Sequence, residues 1–204
     1  LHTYSASGIY NIKISNEVKG WQFNDGGDKD KMTNVSNCGE LNLSDSSAFY
    51  GCSNMTWTAI DSPVISSTSL YSTFRDCSLF NGAIGNWDVS SVLVMSHIVR
   101  NCSLFNQPIG NWDVSNVTTM NNLLNGCANF NQTLNNWNIR NVTDMSSVMT
   151  GVTLSATNYD ALLVGWEGQK GDDEAVCGDF SCAVPSDDWT AELSGNGSIW
   201  VIDA

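Results

Sequence analysis

The chain is poor in basic residues. Only 8 Lys and Arg stand against 21 Asp and Glu in 204 residues, a formal net charge of −13. Phosphate-backbone binding needs clustered Lys and Arg, so nucleic acid is excluded as the main partner. The one local basic cluster, Lys29 and Lys31, alternates with Asp28 and Asp30. Charge of either sign is scarce, at 14% of residues, against roughly 25% in an average globular domain. Asn, Ser and Thr carry the polar surface instead. No stretch approaches the roughly 18 consecutive apolar residues of a bilayer span, which argues against membrane insertion. The opening Leu1-His2-Thr3-Tyr4 lacks a basic n-region, and a mature product or a piece of a longer chain is expected. Histidine is limited to His2 and His97, and no Gly-x-Ser-x-Gly, P-loop or paired His–carboxylate motif occurs. The usual hydrolase and nucleotide-binding signatures are therefore missing. Apolar content is not missing: 42% of the chain is hydrophobic, enough for one sizeable core.

Seven cysteines fit a full disulfide framework poorly. Their spacing is more informative. Cys52, Cys77, Cys102 and Cys127 lie 25 residues apart, and Phe80, Phe105 and Phe130 follow the last three by three. Asn81, Asn106 and Asn131 keep the same phase, as do Trp87, Trp112 and Trp137, and Met95, Met120 and Met145. A fixed period of this length marks a stacked array of small units. The units are 52–76, 77–101, 102–126 and 127–151. The first is degenerate, with Ser62 where the others have Trp, and Val152 replaces the next cysteine, as capping of a stack requires.

Within a unit, residues 84–89 place Ile84, Trp87 and Val89 in a short extended run. Val92, Met95 and Val99 recur at helical spacing. Ser90, Ser115 and Asn141 stand where an N-cap belongs, and Asn141 with Asp144 resembles a capping box. The expected fold is an α/β repeat: a right-handed, leucine-rich-repeat-like solenoid of short parallel strands and short helices, capped at both ends. Cys52, Cys77, Cys102, Cys127, Phe80, Phe105 and Phe130 form its core ladder, which Cys38 joins. The Asn column hydrogen-bonds the backbone of neighbouring turns. An N-terminal β-hairpin cap is expected over 1–23, the array over 24–151 and a capping segment over 152–204.

The string Phe-Asn-Gln-Pro-Ile-Gly-Asn-Trp-Asp-Val-Ser-Asn-Val-Thr-Thr-Met over 105–120 resembles the repeat of the BspA-like leucine-rich repeat surface proteins, also called DUF285. Residues 153–166 are similar to the segment that follows the last repeat in that family, and Gly51-Cys52-Ser53-Asn54 to the one before it. The strand pattern Tyr10, Ile12, Ile14 resembles the closing strands of a PKD-like sandwich. The resemblance spans roughly 20–166. It implies a non-enzymatic adhesin or interaction module on a bacterial, phage or viral surface, and names no ligand.

The Trp87, Trp112, Trp137 column reads in two ways: an exposed platform for sugars, or packing between coils. Asp88 and Asp113, with Asn138, stack as a polar ladder; stacked carboxylates could recruit Ca²⁺, and turn capping is the competing reading. The cluster Asp172, Asp173, Glu174 and Asp179 lacks a spaced calcium loop. No other cofactor or metal is expected, since the cysteine ladder has neither CxxC pairs nor histidines beside it. Cys177 and Cys182, outside the ladder, are expected to form a local disulfide in an extracellular setting. His97 falls on an outward helical position whose equivalents are Asn122 and Ser147, which argues against catalysis.

The expected function is surface recognition by a cell-surface adhesin or a phage tail-fibre receptor-binding domain. Its partner is a glycan or protein on a host or neighbouring cell, contacted along the repeat face. A self-associating filament or surface-layer subunit is the structural alternative. Polysaccharide cleavage would need a carboxylate pair that does not stand out. An ice-binding face would need a regular Thr ladder, which Leu93 interrupts beside Thr118 and Thr143.

Overall fold

The computed structural model describes residues 8–11, 18–19, 21–44, 46–167 and 169. The hairpin residues Ile12 and Ile14, the acidic cluster 172–179 and the Cys177–Cys182 pair lie outside them. So does the rest of the tail beyond 169.

Regular elements are short. Strand β1 (Val18–Lys19) pairs in parallel with β3 (Leu41–Asn42), and β2 (Asn34–Val35) with β4 (Thr56–Trp57). A 3₁₀ turn covers Lys29–Lys31 and helix α1 covers Ala156–Trp166. Between β4 and α1 the chain is organised by contacts between equivalent residues. Parallel bridges join Asn42 to Val64, then Ser69 to Val94, Val94 to Thr119, and Thr119 to Asp144. Each step from Ser69 onward is one 25-residue period. The register Val18 to Leu41 and Asn34 to Thr56 is shorter, so the first turns of chain are tighter than the later ones.

The expected helices at 92–101 and their equivalents are absent: among the described residues α1 is the one α-helix. Residues 96–101 form a ribbon of turns. In it, backbone N–H groups alternate between two acceptors. Met95, His97, Val99 and Asn101 donate to the next coil at Thr119, Asn121, Leu123 and Asn125, over 2.7 to 3.3 Å. Ile98, Arg100 and Cys102 donate three residues back within their own coil. The same alternation runs from Ser47, Phe49 and Gly51, through Ser72, Phe74 and Asp76, to Asn122, Leu124 and Gly126.

A left-handed residue every fourth position makes this path. Positive φ occurs at Ser72 and Asp76, His97 and Asn101, Asn122 and Gly126, Ser147 and Gly151. Left-handed backbone interrupts a right-handed helix, and Gly, Asn and Asp tolerate it best. The helical spacing of Val92, Met95 and Val99 arises from a turn ribbon that also buries every third or fourth side chain. Residues 84–89 differ from expectation as well. They turn locally, with Trp87 N–H donating to Ile84 C=O at 3.1 Å, and the coil-to-coil bridges fall at Val94 and Thr119 instead.

The interior is a set of columns. Phe80, Phe105 and Phe130 stack with ring centroids 5.9 and 6.0 Å apart and near-parallel planes. Phe49 stacks on Phe74 at 5.5 Å. Met, Val and Ile columns fill the remaining width, and all are buried. In the degenerate first unit Trp57, five residues before Ser62, enters the core and meets Trp87 edge-on at 5.8 Å. Trp21 packs edge-on against Phe49 at 5.5 Å and starts the aromatic stack.

Gly110 shows how closely coils approach. A Cβ there would collide with the backbone oxygen of Thr133 in the next coil, as one at Gly85 would with that of Pro108. Gly110→Ala is therefore expected to lower stability by about 1–3 kcal/mol through overpacking. Chemical denaturation checks it, and an unchanged midpoint would show that the coils can separate at this point.

Candidate functional site

Burial decides between the two readings of the tryptophan column. Trp87, Trp112 and Trp137 are only 4, 4 and 0% exposed, so no ring face is offered to a sugar and the exposed-platform expectation is corrected. The indole N–H groups turn inward as well. Trp112 donates to Ile84 C=O at 2.9 Å and Trp137 to Ile109 C=O at 3.0 Å, each 28 residues back. Trp166 of α1 donates to Leu134 C=O at 3.0 Å and supplies the next rung from a helix. These bonds tie indole to carbonyl where water cannot reach, which satisfies a buried donor that would otherwise be costly.

The cysteine column works the same way. Cys77, Cys102 and Cys127 point their thiols at the carbonyls of Phe49, Phe74 and Val99, at 3.0, 3.0 and 3.1 Å. Burial pushes the thiols of Cys52 and Cys127 up to about 12 and holds those of Cys77 and Cys102 well above the ordinary thiol value. Thiolate chemistry is closed to them at neutral pH. Cys38 is buried too and sits beside Asp61. That carboxylate accepts from the backbone N–H groups of Cys38 and Gly39 at 2.7 to 3.0 Å, and the bonds, Cys38 first, hold it below the ordinary carboxylate range.

On the exposed side of the Trp turn, Asp88 accepts from the hydroxyl of Ser90 at 2.6 Å and from its N–H at 3.1 Å. Asp113 does the same with Ser115. Asn138 accepts the N–H of Arg140 at 3.3 Å. The serine hydroxyls, then the serine N–H groups, lower the pKa of both aspartates. This is turn capping, the competing reading above. Asp144, expected in a capping box with Asn141, caps Ser146 in the same manner. Among the described residues no group of three or more His, Cys, Asp or Glu side chains could hold a metal ion.

The asparagine column bonds as its position suggests. Asn81 Oδ1 accepts the N–H of Asn106 at 2.9 Å and the amide of Gln107 at 3.0 Å. Asn106 does so for Asn131 and Gln132. Asn131 then serves Ser155 and Asn158 at the start of α1.

The chemistry not absorbed by packing collects on the turn ribbon. Tyr50, Arg75, Arg100, Asn125 and Thr150 share one column, and Tyr71, Ser96, Asn121 and Ser146 another. The Arg75 guanidinium lies over the Tyr50 ring at 4.8 Å. His97 is half-buried and meets Tyr71 edge-on at 5.3 Å. Burial, then Arg100 and Arg75, hold its pKa below the ordinary value, so at neutral pH it is an uncharged imidazole. Sequence reasoning passed over Arg75 and Arg100, although the period itself places them in register.

Two outcomes check these assignments. Trp112→Ala is expected to cost about 3–5 kcal/mol, as a large core truncation does. A nearly unchanged melting temperature would return that side chain to the surface. Iodoacetamide at about pH 8 is expected to leave Cys52, Cys77, Cys102 and Cys127 unmodified in the native protein and to label them after unfolding. Native labelling seen by mass spectrometry would contradict the buried ladder.

The profile of a family described as "Mycoplasma protein of unknown function, DUF285" matches residues 43–164. No curated protein matches the chain. No solved structure matches it either. The matched segment runs from Leu43 beside the first bridged turn to Val164 inside α1, and it contains the Phe80, Phe105, Phe130 stack, the Cys52 to Cys127 column and the three tryptophans of the repeat. The chain belongs to the DUF285 family.

Proposed function

We propose that this protein is a non-enzymatic recognition module of a cell or virion surface, and that the turn ribbon is its binding face. The fold proposed with it is the right-handed, leucine-rich-repeat-like solenoid of the BspA-like surface proteins, with a PKD-like strand pair at its start. One observation carries the reading. Inside the array the Phe, Cys, Met and Trp columns repeat the same residue from coil to coil, and the aliphatic columns exchange only Val, Ile, Leu and Met. On the ribbon the columns do not: Tyr71 gives way to Asn121 and Ser146, with a buried Ser96 between them, and Arg75 and Arg100 to Asn125 and Thr150. A scaffold that repeats its core while varying one face presents a specific surface. The outward carboxylates Asp88 and Asp113 cap turns, and Ser90 and Ser115 hydroxyls are spent on them, which favours binding over hydrolysis. The low charge suits a glycan or a protein on a neighbouring or host cell.

The test is binding of the fluorescently labelled full chain to a cell panel and a glycan array. Tyr71→Ala combined with Asn121→Ala is expected to weaken binding about tenfold or more while melting stays unchanged. Asp113→Ser, on the turn away from the ribbon, leaves binding intact. Equal loss for both variants would overturn the ribbon as the face. Concentration-dependent growth to filaments in sizing experiments, without cell or glycan binding, would establish the structural alternative.

A further inference from the structure

Stacked like charges are costly in this fold. Residues in one column lie one rung apart, about 4.8 Å where backbones pair, and like charges so placed repel. Among the described residues Arg75 and Arg100 are the two cations that share a column. Their rungs are directly bonded: Gly51 donates to Arg75 C=O and Asp76 to Arg100 C=O, both at 2.8 Å. Compensation is uneven, because Arg75 also lies over the Tyr50 ring at 4.8 Å. Asp76 lies 3.5 Å from Arg75 Nε, and its other oxygen accepts the Asn101 amide at 2.6 Å. Among the described residues no carboxylate pairs with Arg100. The Nε atoms of Arg75 and Arg100 and Nδ1 of His97 are shielded from water and lack a hydrogen-bond partner.

We propose that this cationic step is a subsite for a carboxylate borne on a sugar, the acidic unit of a surface glycan. The inference rests on the ribbon being the binding face. Guanidinium forks match a carboxylate with paired hydrogen bonds, and a bound carboxylate offsets the positive charge that the two rungs place in one column. Tyr71, 39% exposed, offers a ring to the apolar face of the sugar beside the uncharged His97. On the next rung Asn125 donates to Asn122 Oδ1 at 3.0 Å, an ordered amide pair suited to hydroxyls. The chain's net charge of −13 repels dense polyanions and leaves an isolated carboxylate as the favoured anion.

The experiment is calorimetric titration of the full chain with sialyllactose against lactose, and with trigalacturonate against its neutral methyl ester. An acidic form is expected to bind at least about tenfold tighter than its neutral parent. Arg75→Gln and Arg100→Gln each remove about tenfold, and Arg100→Lys removes less. Arg140→Gln, outside the column, leaves binding unchanged, and no variant melts below the parent. Equal binding of acidic and neutral sugars, indifferent to the arginines, overturns this inference and leaves the binding face standing. Equal affinity for a short oligoglutamate through the same arginines overturns the sugar assignment. Absence of binding to any glycan or cell overturns both readings.

Discussion

Every layer of this molecule depends on the backbone bond from one coil to its equivalent in the next. On the ribbon, alternate N–H groups from Ser47 to Gly126 donate across coils, and the groups between them bond locally. The bonding locks the period at 25 residues. A one-residue slip would separate every Phe, Cys, Asn and Trp from its counterpart at once. What looks like a set of separate ladders is therefore one constraint expressed in different side chains.

That constraint also sorts residue types. Groups that interact favourably with themselves across a rung are repeated: phenylalanine rings stack, asparagine amides accept the next coil's N–H, and indoles and thiols reach the carbonyls below. Cysteine in this setting is a small apolar group with one weak donor. Valine at position 152 matches its bulk but not its bond. Charges do not stack well, which accounts for a surface built from Asn, Ser and Thr. The stacked aspartates Asp88 and Asp113 are each held by a serine, whereas of the stacked arginines Arg75 alone has a carboxylate beside it among the described residues.

The period, the core columns and the bonding role of asparagine were legible because register repetition needs no knowledge of backbone path. The path itself was misread. Val92, Met95 and Val99 bury at helical spacing, and periodicity cannot tell a helix from a turn ribbon with the same burial. The signal that separates them was the column Gly51, Asp76, Asn101, Gly126 and Gly151, five residues suited to positive φ. The tryptophan column was ambiguous because residues 84–89 turn, so alternation does not report facing. The arginine step is not legible from register repetition, because its column runs Tyr50, Arg75, Arg100, Asn125 and Thr150.

Helix α1 reproduces two side-chain contacts of a coil without reproducing its backbone. Trp166 and Asn158 occupy the places that a further tryptophan and glutamine would fill. A helix consumes its own N–H and C=O groups internally, so the surface it turns outward has little left for another coil to bond. On the side of the last coil that α1 covers, helix backbone stands where coil-to-coil bonds run elsewhere. The side chains that join one coil to the next here join a coil to a helix, because the backbone beneath them has changed.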